Sequence, residues 1–474
     1  MKIIEMLRRE MREMQEKFEA KIKALEEEVS RLKDQVSKNS HNSSKPPSSD
    51  GLTKPVPKSL RKKSGRRPGG QHGHKGETLK MRESPDHVEL YRVEQCGRCG
   101  RSLKEEEAMD IERRQVFDIP PITIEVTEHQ AEIKGCPDCG HVSTAAFPEG
   151  VTAAVQYGPH IRSMAVYLQQ YQLLPFERTC ELMEDLFSVS MSTGTLANIV
   201  SKCSERISVT MEEIKEMIRA APVAHFDESG VSVNGKLHWL HAASTDVATY
   251  YEIHPKRGAE AMDAIGILPA FQGRAIHDFW KPYLGYGCHH GFCNGHLLRE
   301  LIFLYEEHGQ LWAKAMIDHL LKIKDVVDET RPSANCLTQE QLRTLERRYR
   351  RIVKIGKAAN PDLIDPGAKR KRGRPKKSKA QNLLERFETY QKEILAFMYD
   401  FSVPFDNNLS ERDIRMIKVR MKISGTFRSE AGSKIFCRIR SYISTARKNA
   451  VNVIKAIQGA IAGRPLVPVP SPGT

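Results

Sequence analysis

The sequence predicts a mixed α/β protein whose central unit begins near residue 222 of a 474-residue chain. From there the apolar period becomes two, in PVAHFDESGVSV, GKLHWLHAAST and ATYYEIHP, with SG, NG and TD as turn signals. A helix candidate at 257–267 and a fourth apolar run, GRAIHDFW (273–280), follow. Helical text flanks the unit on both sides. Three antiparallel strands, a helix and a further strand make the opening order of an RNase H-like domain, although other α/β folds share it.

The chain is too long for one core and suggests about two to four domains. Hydrophobic residues make up 39% and charged residues 28%, so most of it folds, with polar segments between the folded parts. The net charge of +14 points to a polyanionic partner, with solubility as the competing reason. There is no apolar run of about 18 residues and the start of the chain is charged, so neither a membrane span nor a secretion signal is expected. Four of the ten cysteines form two CxxC pairs, which suits a reducing compartment, the cytosol.

Residues 1–37 read as one helix. Ile4, Met11, Phe18, Leu25 and Leu32 recur every seventh residue, and Ile22, Val29 and Val36 fill the second seam, which Arg8 and Gln15 interrupt earlier. The flanks are nearly all charged and leave no second apolar face. This favours a self-associating coiled coil over packing on its own domain. Residues 38–85 form a basic arm, with SKNSHNSSKPPSSDG (37–51) expected to be extended or disordered. From Lys54 to Lys75 there are eight Lys or Arg and no acid, among them Arg61, Lys62, Lys63, Arg66 and Arg67. Such an arm can follow phosphates, whereas a plain linker has no need to exclude acids.

Residues 86–150 hold Cys96-x-x-Cys99 and Cys136-x-x-Cys139, each followed by glycine. Four thiolates suit one structural Zn²⁺; bare or redox-active pairs are the alternatives. The text between the pairs (RRQVFDIPPITIEVTEHQAEIKG) predicts a zinc ribbon with an elongated hairpin. Residues 151–221 read as a helical domain, in which MSTGTLANIVSK resembles half of a helix-turn-helix and equally suits plain helical packing. The α/β core (222–282) is followed by a helical insertion (283–400). Its run KRKRGRPKKSK, with Arg372, Arg374 and Lys376, resembles an AT-hook for the minor groove. Helices over 401–464 and a disordered tail at 465–474 complete the chain.

Three acids stand out. Asp227 lies in HFDES, at the expected end of the first strand, and Asp278 ends the fourth run. Glu411 lies in DNNLSERDIR, where Asp406, Asn407 and Asn408 break or cap a helix and Arg412, Arg415, Lys418 and Arg420 follow. Clustered carboxylates need cations between them, and two Mg²⁺ or Mn²⁺ ions on hard oxygen ligands would allow phosphodiester chemistry. Turn-capping aspartates and a Glu411–Arg415 ion pair are the bland alternatives. Cys293 and His296 (CNGH) are a further candidate, for an accessory metal site or for core packing, with Cys288, His289 and His290 nearby. Arg299 either reaches DNA phosphate or pairs with Glu300 or Glu306.

The chain resembles transposases of the bacterial insertion sequence 66 family, of the Asp-Asp-Glu type. The likeness rests on the zipper, SHNSSKPPSSDG, the CxxC pairs, HFDES, GKLHWLHAAST, HPKRG, HDFWKPY, CNGHLLREL, KRGRPKKSKAQNLLER and DNNLSERDIR, in that order. It implies an RNase H-like catalytic core with a helical insertion, preceded by a coiled-coil helix and a zinc-ribbon-like domain. It also implies a catalytic triad of Asp227, Asp278 and Glu411 using Mg²⁺ to cleave element ends and join 3′-hydroxyls to target DNA. The zinc region and arm would bind the terminal inverted repeats, basic residues of the 412–440 helices, among them Arg412, Arg415, Lys418 and Arg420, would clamp phosphates, and the zipper would pair protomers. Small accessory proteins of the same element and a nucleoid-associated bacterial cytoplasm fit the same picture. A silent DNA-binding regulator and an RNase H-type nuclease are the rival readings.

Overall fold

The computed structural model describes residues 2–43, 45, 50, 73, 78–120, 122–361 and 377–466. The arm cations Arg61, Lys62, Lys63, Arg66 and Arg67 and the loop cations Arg372, Arg374 and Lys376 lie outside the described residues. The chain forms two compact units, Lys58–Val126 and Met1–Pro57 with Thr127–Thr474. No helix among the described residues is long and apolar enough to cross a membrane.

Within Lys58–Val126 an isolated bridge, Gln95 to Ser102, closes the loop around the first CxxC pair. The elongated hairpin is not formed: among the described residues no strand is present over 113–132. Val116, Ile119 and Val126 are exposed. Period-two apolar text makes a strand only where a partner and a covering layer exist, and here the described residues provide neither.

The larger unit opens with α1 (Lys2–Ser37). Among the described residues its seam is uncovered, with Leu25 57% and Val36 84% exposed. Only its end is tied down among the described residues, by Asp34 with Lys379 (2.5 Å) and with His308 (3.1 Å). The stretch expected to be extended beyond it is partly a compact turn. Asn42 is buried, its Oδ1 accepting the Asn39 N–H at 2.8 Å, and Ser40 N–H donates to Asp50 at 2.9 Å. Asn and Ser side chains fold back on local backbone, which extended chain cannot satisfy.

The hairpin β1 (Ile133–Gly135) and β2 (Val142–Thr144) brackets the second CxxC pair. Four helices follow: α2 (Pro159–Val166) running into a π-turn, α3 (Phe176–Phe187), α4 (Thr193–Arg206) and α5 (Ser208–Arg219). Ser192 caps α4 by accepting the Thr195 N–H, and Leu196, Ile199, Val200 and Cys203 turn into the core. α4 is therefore a packed helix, not a presented one.

The sheet comprises β3 (Val223–Val233), β4 (Lys236–Ser244), β5 (Thr249–His254), β6 (Arg274–His277) and β7 (His289–Phe292), with α6 (Ala259–Ile265) between β5 and β6. Its order is β5-β4-β3-β6-β7; the first three strands are antiparallel, and β3-β6-β7 are parallel. β7 corrects the expectation that the text from 283 to 400 is helical throughout. One sheet face packs Phe226, Ala243 and Tyr250 against Met262, Leu268 and Phe271. The other packs Ala242, Tyr251 and Ile253 against α13 (Asn408–Ser424) and α14 (Glu430–Lys448). Beyond β7, α7 (Asn294–His308), α8 (Leu311–Thr330), α9 (Gln339–Ala359), α10 (Lys379–Thr389), α11 (Gln391–Ile394) and α12 (Ala396–Tyr399) build a core around Trp312, Leu320, Tyr349 and Phe387. α15 (Val453–Ile461) ends the fold against α2 and α4.

Candidate active site

Strand register brings the two aspartates together. In the parallel pair, Val223, Ala224 and His225 face Arg274, Ala275 and Ile276. Carried on by two residues, the same offset sets Asp227 beside Asp278. Asp227 lies in the middle of β3, not at its end, because pairing with β4 continues to Val233. Asp278 follows β6 directly and accepts the Trp280 N–H at 3.1 Å. The next residue, Phe279, has a left-handed backbone (φ 71) that a bulky side chain adopts at a cost. Packing holds it there: Phe292 and Tyr390 lie at ring distances of 4.8 and 5.0 Å, and the Arg386 guanidinium at 4.4 Å.

Glu411 comes from α13, and the device that seats it is Asn407. Although Asn407 precedes the helix, its side chain caps nothing. It turns to β3 instead, donating from Nδ2 to the Phe226 carbonyl (2.9 Å) and accepting the His225 Nδ1–H on Oδ1 (2.7 Å). The Asn407 backbone N–H donates to Cys293 Sγ at 3.2 Å. One buried asparagine thus joins the strand of Asp227, the helix of Glu411 and the start of α7. Asp413 anchors the same helix two residues past Glu411, accepting from Ser244 (2.7 Å), Thr249 (3.1 Å) and Lys448 (2.8 Å). The side chain that caps the helix start is Asp406, which accepts the Asn408 N–H at 3.1 Å.

Burial pushes the Asp227 carboxyl up to about 8, and the charges of Glu228, Asp278 and Glu411 add to the push. Burial also raises Glu411, against the pull of the Arg299 cation. Glu411 does not take Arg415 as its nearest cation; it faces α7, 3.8 Å from His296 Nδ1 and 3.9 Å from Arg299. The other candidate partners of Arg299 are engaged elsewhere, Glu300 with Arg386 at 2.6 Å and Glu306 with His41 at 3.6 Å. Burial raises the carboxyl of a fourth acid, Glu228, which has partners of its own. Its side chain is 1% exposed and meets Arg257 (2.5 Å) and the Tyr283 hydroxyl (2.5 Å). Arg257 lies between the rings of Trp239 and Trp280.

An aspartate raised from about 4 when unfolded to about 8 when folded keeps its proton only in the folded state across that interval. Metal-free protein should therefore lose stability as pH rises from about 4 to about 8 and level off above it. A divalent cation that binds only the ionised carboxylates would reverse the loss. Melting temperatures at pH 5 and 8, with and without Mn²⁺, check this; a profile indifferent to both, or one that Asp227→Asn leaves unchanged, contradicts it.

The basic residues of α13 divide into two groups. Arg412, Arg415 and Lys418 are exposed. Arg420 is not the free cation expected of it: its guanidinium sits 3.6 Å from the Phe427 ring centre and 5.1 Å from that of Phe436. Arg440, within the helices expected to clamp phosphate, is 4% exposed and hydrogen-bonds the Gln170 carbonyl at 3.3 Å. Arg415→Ala should weaken DNA binding and lower its salt slope by about one, whereas Arg420→Ala should cost about 1–2 kcal/mol of stability and leave that slope alone. Salt-dependent binding titrations and melts separate the two. Equal effects on the slope would refute the division.

The two CxxC pairs form like knuckles. Cys96 N–H donates to the Arg101 carbonyl (2.9 Å) and Gly100 N–H to Cys96 (2.9 Å); Cys136 N–H donates to His141 (2.8 Å) and Gly140 N–H to Cys136 (2.9 Å). Gly100 and Gly140 take φ values of 75 and 71, the turn that glycine allows. Backbone amides, that of Cys99 first in one knuckle and that of Cys139 first in the other, lower the Cys96 and Cys136 thiols. Amide-stabilised thiolates fit zinc.

Of the CHHGFCNGH cluster, only Cys293 and His296 approach the carboxylates. Cys293, His296 and Glu411 have donor atoms within 4.8 Å of one another, the one such group among the described residues. His290 contacts His277 (3.1 Å) instead, and Cys288 is buried away in the helical core.

Comparison with known families adds three matches. The model of the family described as Transposase IS66 family matches residues 154–435, more than half of the chain, and spans Asp227, Asp278 and Glu411. The zinc-finger binding domain of transposase IS66 matches residues 94–140, which include both knuckles and support a structural zinc. A family of unknown function matches residues 2–80. No curated protein matches the chain.

Proposed function

The chain belongs to the IS66 transposase family, and from that premise we propose that it binds the terminal inverted repeats of an insertion sequence, cuts its ends and transfers the 3′-hydroxyls to target DNA. Asp227, Asp278 and Glu411 are the metal-holding triad of an RNase H-like core in this reading. One observation supports it: the β3–β6 register carries Asp227 beside Asp278, and Asn407 joins the strand of Asp227 to the helix of Glu411. The oxygen donors and excess negative charge of the three acids fit Mg²⁺ or Mn²⁺. When bound, two such ions would activate the attacking water or 3′-hydroxyl and stabilise the leaving oxygen.

The chain's own residues do the rest. Arg257 and Tyr283 hold Glu228 out of the reaction, Asn407 and Asp413 fix the helix that carries Glu411, and Arg299 restrains its carboxylate. Arg412, Arg415 and Lys418, exposed beyond it on α13, hold phosphates of the DNA end and so set its register rather than read its sequence. Cys96, Cys99, Cys136 and Cys139 supply the thiolates of the structural zinc, a role supported by their matching knuckles and the zinc-finger match. The uncovered seam of α1 supports pairing with a second copy of the chain, so that two ends meet in one complex. Action on chromosomal DNA in the bacterial cytoplasm belongs to the same reading.

Incubating the full chain with a duplex bearing the element's inverted repeat tests this. Nicking at the repeat boundary that requires Mg²⁺ or Mn²⁺ is the expected result. Cleavage confined to RNA–DNA hybrids would replace the proposal with a nuclease, and repeat binding without cleavage would replace it with a regulator.

A further inference from the structure

Beside the three carboxylates lies a cluster with a different donor set. α7 begins with Cys293 as its N-cap and carries His296 in its first turn. The Cys293 sulfur accepts the Asn407 N–H at 3.2 Å, while the His296 N–H donates to the Cys293 carbonyl at 3.1 Å. One amide donor favours the thiolate, whereas burial pushes the Cys293 thiol up to about 12, unlike the knuckle thiols; a bound cation would offset that burial. The Nδ1 atom of His296 is buried and has no hydrogen-bond partner among the described residues. A polar atom left so is costly unless something binds it. It faces Glu411 Oε1 at 3.8 Å, and the sulfur, nitrogen and carboxylate oxygen all lie within 4.8 Å of one another.

The geometry points to a second zinc-class site, in which Cys293 Sγ, His296 Nδ1 and the Glu411 carboxylate hold one divalent ion. A sulfur–nitrogen–oxygen set selects zinc over magnesium, because thiolate and imidazole bind the borderline-soft ion while magnesium keeps to oxygen. Three protein ligands leave a fourth position open, unlike the closed four-cysteine shell of a structural zinc. The ion would also tie Glu411 to α7, next to Asp278, and so give the Cys-x-x-His segment a definite task. Glu411 has two carboxylate oxygens, so one can serve this ion and leave the other for the proposed triad. The cluster is defined by its donor atoms, whatever Asp227 and Asp278 do.

Metal analysis of the purified full chain decides the matter without any cleavage assay. The wild type should carry about two zinc ions per chain, and His296→Gln and Cys293→Ser should each carry about one. Joint replacement Cys99→Ser and Cys139→Ser should also leave about one ion. After exchange to Co²⁺, that knuckle variant should keep a sulfur-to-cobalt charge-transfer band that Cys293→Ser in the same background removes. His296→Gln changes a partly exposed side chain, so it remains informative if the buried Cys293→Ser variant fails to fold. A folded His296→Gln protein with the wild-type zinc content overturns the site, as does a wild type with zinc in the knuckles alone. Loss of cleavage with zinc content unchanged, as expected of Asp227→Asn, would speak only to the transposase reading.

Discussion

Asp227→Asn is expected to lower metal-dependent cleavage of an inverted-repeat duplex by about 10³-fold or more while changing end binding by no more than about twofold. The asparagine keeps the volume and one oxygen, so the sheet should stand. It removes the negative charge that would complete the proposed divalent site between β3 and β6. The strand pairing that sets Asp227 beside Asp278 is unaffected, and the exposed cations of α13 still hold phosphate. Asp278→Asn and Glu411→Gln should behave alike, because a metal site fails when any of its carboxylates is lost. Single-turnover cleavage and a binding titration on the same duplex measure the two quantities. A variant that cuts at the wild-type rate removes its residue from the triad.

The second large effect is expected at a residue that never meets DNA. Asn407→Ala leaves the His225 ring N–H and the Phe226 carbonyl without their partner. Two buried polar groups so orphaned cost about 2–4 kcal/mol. The helix carrying Glu411 loses its attachment to the strand carrying Asp227, and a misplacement of about 1 Å at a catalytic group costs about 10²-fold in rate. Asn407→Asp, which keeps the acceptor for His225 and loses the donor to Phe226, should fall between. Thermal melts at saturating Mn²⁺ and the single-turnover rate separate a stability loss from a positioning loss. A folded Asn407→Ala protein with the wild-type rate shows that the clamp does not position Glu411.

The three candidate acids stand out in the sequence because they interrupt patterns. Asp227 and Asp278 break period-two apolar runs, and Glu411 starts a helix otherwise rich in cations. Asn407 was hidden by its position: an asparagine before a helix reads as a cap, and only the fold reveals a strand within reach of its side chain. β7 was hidden because four residues, two of them histidines, carry too little periodicity to mark a strand. The text between the CxxC pairs erred the other way, since alternating apolar residues promise a strand without promising a partner. Arg420 carried a signal that went unused. It lies three residues beyond Ile417 and six beyond Ile414, on the buried stripe of α13, so its place on Phe427 and Phe436 follows from helical spacing.

The central claim is that Asp227, Asp278 and Glu411 share divalent cations. Anomalous diffraction from crystals of the full chain soaked in Mn²⁺ tests it most directly. The account predicts manganese peaks within about 2.0–2.4 Å of oxygens from all three carboxylates. Manganese bound elsewhere, with the Glu411 carboxylate turned away from the two aspartates, contradicts it.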